Sequence, residues 1–193
     1  MGLAALGLIA SMPVWLAVAL AVKLEDGGPI FFEQERWGRM KRRIRVLKFR
    51  SMATNSSLED RSVQAGKHDA RITRVGKLLR ATALDEMPQL LNILKGEMSF
   101  VGPRALPINE VQARERDGAL PDEAIPGFGL RCRVRPGLTG LAQIYAPRDV
   151  PRRHKFRYDV LYVKKQSLWL DIRLIVLSLC ITACAKWESR GNG

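Results

Sequence analysis

The sequence predicts an α+β protein, mostly helical, attached to one face of a membrane. Three observations predict it. An uncharged apolar run with a proline near its middle opens the chain, a short stretch alternates like a β-hairpin, and apolar residues recur at helical spacing afterwards. The expected parts are an N-terminal Pro-kinked re-entrant helix, a small hairpin and interfacial amphipathic helices. At 193 residues the chain suits one sizeable core. Its 32 Lys and Arg against 19 Asp and Glu give a formal net charge of +13, which calls for an anionic partner. Nucleic acid, acidic headgroups and phosphorylated substrates all qualify. Three cysteines without a CxxC pair, and two histidines, give poor material for a disulfide framework or a zinc site. A reducing, cytoplasm-facing environment is expected.

The apolar run is "GLAALGLIASMPVWLAVALAV", Gly2 to Val22, without a charge. As one helix it would be roughly 30 Å long, about the thickness of a bilayer's hydrocarbon core. No basic segment precedes it and no small-residue cleavage site follows, so a signal peptide is disfavoured. Pro13 removes a backbone donor at mid-run, and Ser11 could offer its hydroxyl to a freed carbonyl. A kinked span and a helix-break-helix returning to the same face both accommodate the proline. Every Lys and Arg lies after Val22, so the remaining chain is expected on the cytoplasmic side. A span would leave Met1 and Gly2 on the far side without an anchor. The dipping form explains both features and is the expectation.

Residues 27–50, "GGPIFFEQERWGRMKRRIRVLKFR", predict a hairpin turning near Gly38. On its second strand Ile44, Val46, Lys48 and Arg50 share a face that begins apolar and ends cationic. That pattern suits a partly buried cationic pocket, or a strand end frayed into solvent. Residues 53–70 are polar and read as a loop. "RITRVGKLLRATA" predicts a short helix with Ile72, Val75, Leu78 and Leu79 as its apolar stripe. Arg74, Lys77 and Arg80 drift around its other side, and Arg80, nearest to Asp85, is the one expected to turn inward.

"LDEMPQLLNILKG" follows. Met87, Leu90, Leu91 and Leu94 fit one helix face, with Gly96 as the stop. Asp85 suits the N-cap and Glu86 the first turn, which is a sufficient structural account of both. "VGPR" forces a turn presenting Arg104, and residues 109–124 read as polar surface. "RPGLTGLAQI" places a Gly/Thr turn after Arg135, of the kind whose backbone N–H groups can face an anion. In "WLDIRLIVLSLCITACAKW", residues 169–187, the uninterrupted apolar part is too short to span. Trp169, Arg173, Lys186 and Trp187 flank it as in an interfacial helix, although a buried core helix would also fit.

No GxxxxGK loop, GxGxxG, DxD pair or GxSxG elbow is present. The remaining tools are Lys48, Arg50, Arg80, Arg104, Arg135, a helix start and two carboxylates. Together they suit attack by a carboxylate on phosphorus. Cations and a divalent ion such as Mg²⁺, which takes few protein ligands, would offset the repulsion between two anions. The helix start and the cations are expected to keep Asp85 ionised.

These stretches, with "DARITRVGKLLRATALDEMPQLLNILKGEMSFVGPR" and the late "YDVLYVKKQSLWLDIRLI", resemble the bacterial sugar transferases in family order along nearly the whole chain. The resemblance is to the small monotopic polyprenyl-phosphate phosphoglycosyl transferases, little more than a catalytic domain. It implies a re-entrant helix over residues 1–22 and a catalytic domain over 23–193. It also implies transfer of a phosphosugar from a UDP-sugar to polyprenyl (undecaprenyl) phosphate, with release of UMP. The expected setting is the cytoplasmic face of the bacterial inner membrane, at the first step of exopolysaccharide, capsule or glycoconjugate assembly. By this resemblance Asp85 is the covalent nucleophile and a ligand of Mg²⁺, with Glu86 completing the dyad. Arg80, Arg104, Arg135 and Lys48 bind phosphate or nucleotide, and Ser11 and Pro13 form the membrane kink.

The chain departs from the family pattern at Met12, between Ser11 and Pro13, at Ala105, where PRP is usual, and at Leu141, where Trp is usual. It also starts inside the apolar run, as a truncated copy or one with a misplaced start codon would. The competing function classes are a degenerate transferase and a basic membrane-attached protein binding anionic lipid or nucleic acid. Nucleic acid is not expected, since neither interleaved exposed aromatics nor a recognition helix is visible.

Overall fold

The computed structural model describes residues 2–53, 69–108, 120–146, 150–185 and 187. Helix α1 spans Gly2–Asp26, with Pro13 inside it as part of one continuous element. The Ser11 hydroxyl donates to the Leu8 carbonyl at 3.1 Å, rather than to Ile9, whose usual donor Pro13 lacks. One stripe of α1 faces the rest of the protein. Ala4, Val18 and Val22 are buried, and Leu8 and Trp15 pack beside them. The opposite side exposes Leu3, Leu6, Ile9, Met12, Leu16 and Leu20.

The expected hairpin forms, with β1 (Phe31–Trp37) antiparallel to β2 (Arg43–Phe49). Segment 106–108 runs along the other edge of β1, through Trp37 N–H to the Leu106 carbonyl at 2.9 Å and an Arg36–Pro107 bridge. Ile44 and Val46 face inward and meet Ala4, Leu90 and Ile93 in one core cluster.

Helix α2 spans Arg74–Thr82, capped by the Thr73 hydroxyl, which accepts from Gly76 N–H at 2.9 Å. Glu25, near the end of α1, also reaches this helix start and accepts from Arg74 N–H at 2.6 Å. Leu79 is buried as expected, whereas Leu78 is 62% exposed and leaves the inward stripe. Gly76 is required by packing, because a Cβ there would sit 2.1 Å from the Ser51 carbonyl oxygen.

A single 3-10 turn, Leu84–Glu86, precedes helix α3 (Gln89–Leu94). The N-cap expectation for Asp85 is therefore corrected: Pro88 holds that position, with no side-chain cap. The buried face also differs from the expected Met87, Leu90, Leu91 and Leu94. Gln89, Leu90, Asn92 and Ile93 are the buried residues, and Gly96 at φ +75 ends the helix as expected.

Strands β3 (Ser99–Val101) and β4 (Gly137–Thr139) pair in parallel. The Gly/Thr turn thus becomes a strand. Its Gly137 N–H goes to the Pro103 carbonyl at 2.9 Å, and Thr139 accepts from Gly102. Helices α4 (Phe128–Arg131), α5 (Leu141–Tyr145) and α6 (Arg152–Lys165) complete this half. Of the stretch expected on the surface, residues 109–119 lie outside the described residues, and Asp122 is buried and paired with Arg152. The loop expected at 53–70 lies largely outside them, as does Lys186.

Helix α7 spans Leu168–Ala183, with Ser167 accepting from Leu170 N–H as its cap. Leu174 is fully buried against Val101 and Tyr162, while Leu168, Trp169, Val176 and Leu179 are exposed. The core reading thus holds for the Leu174 side, while the opposite side is exposed.

Candidate active site

The hairpin and the 3-10 turn bring three charges together. Alternation along β2 carries Lys48 inward, where its Nζ lies 2.6 Å from Glu86 Oε1 and 3.8 Å from Asp85 Oδ2. Arg104, delivered by the turn after β3, donates from Nη2 to the same Glu86 Oε1 at 2.8 Å. Lys48 and both carboxylates are largely enclosed, their side chains 11–13% exposed, and that of Arg104 is 44% exposed. The cluster therefore opens to solvent on the Arg104 side.

The neighbouring carboxylates are treated differently. Glu86 Oε1 accepts from both cations, whereas no hydrogen bond to an Asp85 carboxyl oxygen is found among the described residues. Burial opposes ionisation of Glu86 but is outweighed by Arg104 and Lys48, which hold its carboxyl well below the usual range. Burial pushes the Asp85 carboxyl up; Lys48 opposes that and the Glu86 charge adds to it. Burial also lowers the Lys48 ammonium, against the pull of Glu86. The cations expected to keep Asp85 ionised thus work against enclosure, which is the larger effect and raises its carboxyl above the ordinary value.

Asn92 fixes the strand that carries Lys48. Its Nδ2 donates to the Arg45 carbonyl at 2.7 Å, and its Oδ1 accepts from Leu47 N–H at 3.3 Å. This amide pairs with β2 as a neighbouring strand would. Sequence reasoning missed it; the only signal was a polar residue adjoining the apolar positions of a helix.

Arg80 is half-buried, more covered than Arg74 or Lys77, and its charge acts on Asp85. Arg50 is buried on the expected face, but its guanidinium pairs with Asp26 and donates to the Val22 carbonyl at 3.4 Å. It fastens the end of α1 to the hairpin. Arg135 is exposed, and no contact joins it to Asp85 or Glu86 among the described residues. Ser11 and Pro13 lie on α1, outside this cluster. Ala105 is buried in the core beside Leu90, and its carbonyl accepts from Arg36 Nη1 at 2.7 Å, so the missing proline leaves an anchored loop.

A buried carboxylate pair ringed by Lys and Arg has the chemistry to receive an anionic, phosphate-bearing ligand. The family profile described as bacterial sugar transferase matches residues 1–184, and the chain belongs to this family. The UDP-glucose:undecaprenyl-phosphate glucose-1-phosphate transferase of Klebsiella pneumoniae is 42% identical over 177 residues, 89% of this chain and 36% of that protein. The exopolysaccharide production protein PSS of Rhizobium leguminosarum bv. phaseoli is 43% identical over 173 residues, 87% of this chain and 84% of that protein. The UDP-N-acetylgalactosamine-undecaprenyl-phosphate N-acetylgalactosaminephosphotransferase of Aeromonas hydrophila is 42% identical over 167 residues, 84% and 37% of the two chains. This chain thus spans little more than a third of the first and last of these relatives.

Proposed function

We propose that this protein transfers a sugar-1-phosphate from a UDP-sugar to a polyprenyl phosphate such as undecaprenyl phosphate, with Asp85 as the covalent nucleophile. The observation that carries the assignment is the division of labour in the dyad. Glu86 accepts from both Lys48 and Arg104, while among the described residues no hydrogen bond reaches the Asp85 oxygens. Neighbouring carboxylates driven apart in this way take different roles. Asp85 attacks the β-phosphorus of the donor, the bond from that phosphorus to the bridging oxygen breaks, and UMP leaves. A phosphate oxygen of the polyprenyl acceptor then attacks the aspartyl-bound phosphorus. The Asp85–phosphorus bond breaks, restoring the carboxylate and giving a polyprenyl diphosphate sugar. Arg104, the most open of the cations, meets the donor's phosphates, and Arg80 lends its charge from the side. Arg50 is given no ligand role because Asp26 already holds it.

The donor set suits Mg²⁺ held by Asp85 and by substrate phosphate oxygens, since Glu86 is committed to cations; it does not suit an all-protein cage. When bound there, Mg²⁺ would neutralise charge on the transferring phosphoryl group.

The active site is placed at the cytoplasmic face of the bacterial inner membrane, with α1 entering lipid from that side alone. The support is that Ala4 and Val22, roughly 27 Å apart along a straight helix, pack on one and the same domain. A crossing helix would have to release one of those contacts. A headgroup-binding role gives no account of two carboxylates amid the cations.

The test is UMP release from a panel of UDP-sugars with Mg²⁺, polyprenyl phosphate and the protein in nanodiscs. One or a few donors release UMP, and Asp85→Asn abolishes it. UMP formation that survives this substitution removes Asp85 from the role.

A further inference from the structure

We infer that Arg131, outside the dyad and buried away from it, is a positioning residue that sets Arg104 for the donor's phosphates. The inference rests on the reading of Arg104 given above. Arg131 is 3% exposed, at the end of α4. Its Nε donates to Asp159 Oδ2 on α6 at 2.8 Å, and its guanidinium lies 4.8 Å from the Phe156 ring centre. Its Nη2 donates to the backbone carbonyl of Arg104 at 2.5 Å. Three partners on two elements thus fix one planar fork, and one prong ends on the residue whose side chain reaches Glu86.

The neighbouring carbonyl is held in the same way. Arg36, 7% exposed on β1, donates from Nη1 to the Ala105 carbonyl at 2.7 Å. Consecutive carbonyls of the loop are therefore held by buried arginines from two different elements. The Arg104–Gly137 bridge, which includes the Gly137 N–H to Pro103 carbonyl bond, holds the same loop against β4. A surface turn that only connects two elements has no need of such restraint. A turn whose side chain must meet a phosphate within a few tenths of an ångström does, because loosely held ligands lose transition-state contact first. Asp159 is then the residue that keeps Arg131 aimed, and α6 acts on the site through it.

A double-mutant cycle tests this, using full-length protein in nanodiscs and UMP release under varied UDP-sugar. Arg131→Met keeps bulk and removes the donors. It is expected to lower kcat/KM for the donor about tenfold or more in the native background, and less than about threefold beside Arg104→Ala. Asp159→Asn, of the same shape, supplies the same cycle if R131M does not accumulate. A thermal unfolding scan of each variant accompanies the kinetics. Equal losses in both backgrounds would mean that Arg131 acts on the fold at large, and would overturn the inference while leaving Arg104 in its role. Unchanged activity in Arg104→Ala alone would instead remove the phosphate role of Arg104 itself.

Discussion

Asp85 and Glu86 bring the same functional group to adjacent positions, and only their surroundings separate them. Glu86 reaches Lys48 and Arg104, while Asp85 is enclosed and, among the described residues, receives no hydrogen bond at its carboxyl. As the proposed nucleophile Asp85 must be ionised, and enclosure raises its carboxyl above the ordinary 3.8. The acid limb of kcat/KM against pH, at fixed Mg²⁺, is therefore expected above that value. Glu86→Gln removes one cause of the elevation and leaves Lys48 nearer to Asp85 alone. Both changes favour the ionised form, so the limb of the residual activity moves to lower pH; a move to higher pH would contradict the account. Lys48 was legible because strand alternation dictates its face. The partner of Arg50 was not, since Asp26 lies across a chain reversal that no periodicity reports. The saturation of Glu86 was equally hidden, because it depends on Arg104 arriving from a separate turn.

At the scale of elements, the parallel β3–β4 contact is the joint on which the Arg104 turn hangs. Gly102, Gly137 and Gly140 bring two backbones into direct contact there. A Cβ on Gly137 would lie 2.1 Å from Gly102 N, and one on Gly140 2.2 Å from the Gly102 oxygen. Gly137→Ala is expected to destabilise the protein by about 2 kcal/mol or more and to lower activity with it. Gly129, in α4, has nothing within 4 Å of the same virtual atom, so Gly129→Ala is expected to be neutral or to add up to about 1 kcal/mol. Thermal unfolding of the two variants separates them by sign. Although its Thr73 cap was not singled out, α2 was readable from apolar residues at helical spacing, and the hairpin from alternation. The β3–β4 pair was not, because three-residue strands carry too short a pattern and their pairing spans 38 positions from Ser99 to Gly137. The glycines were visible, but a tight backbone contact and an anion-binding turn call for the same residues.

Across the whole molecule, α1, α2 and α7 form a connected layer, with α2 packed against both of the others. Exposed Leu6, Ile9, Leu16 and Leu20 of α1, Leu78 of α2, and Trp169, Val176 and Leu179 of α7 belong to this layer. The apolar run predicts a membrane segment, but not which of its faces meets the domain. Where every side of a helix is apolar, the 4–8–15–18–22 stripe has no polar background to stand against. If α1 enters and leaves by one face, a single cysteine at Gly2 and another at Lys23 share the same accessibility. In a background with Cys132, Cys180 and Cys184 replaced, an impermeant thiol reagent labels both only in inside-out vesicles. Labelling of the Gly2 site from the opposite side would mean that the helix crosses. On the proposed function, the enclosed dyad would meet the water-soluble donor and the exposed layer the lipid-soluble acceptor.

The most direct measurement is intact-mass analysis of protein quenched after incubation with Mg²⁺ and its UDP-sugar, in the absence of polyprenyl phosphate. The account predicts a mass increase of one phosphosugar, mapped to Asp85, absent from Asp85→Asn and discharged when polyprenyl phosphate is added. Unmodified protein, in a sample shown to release UMP, would contradict it.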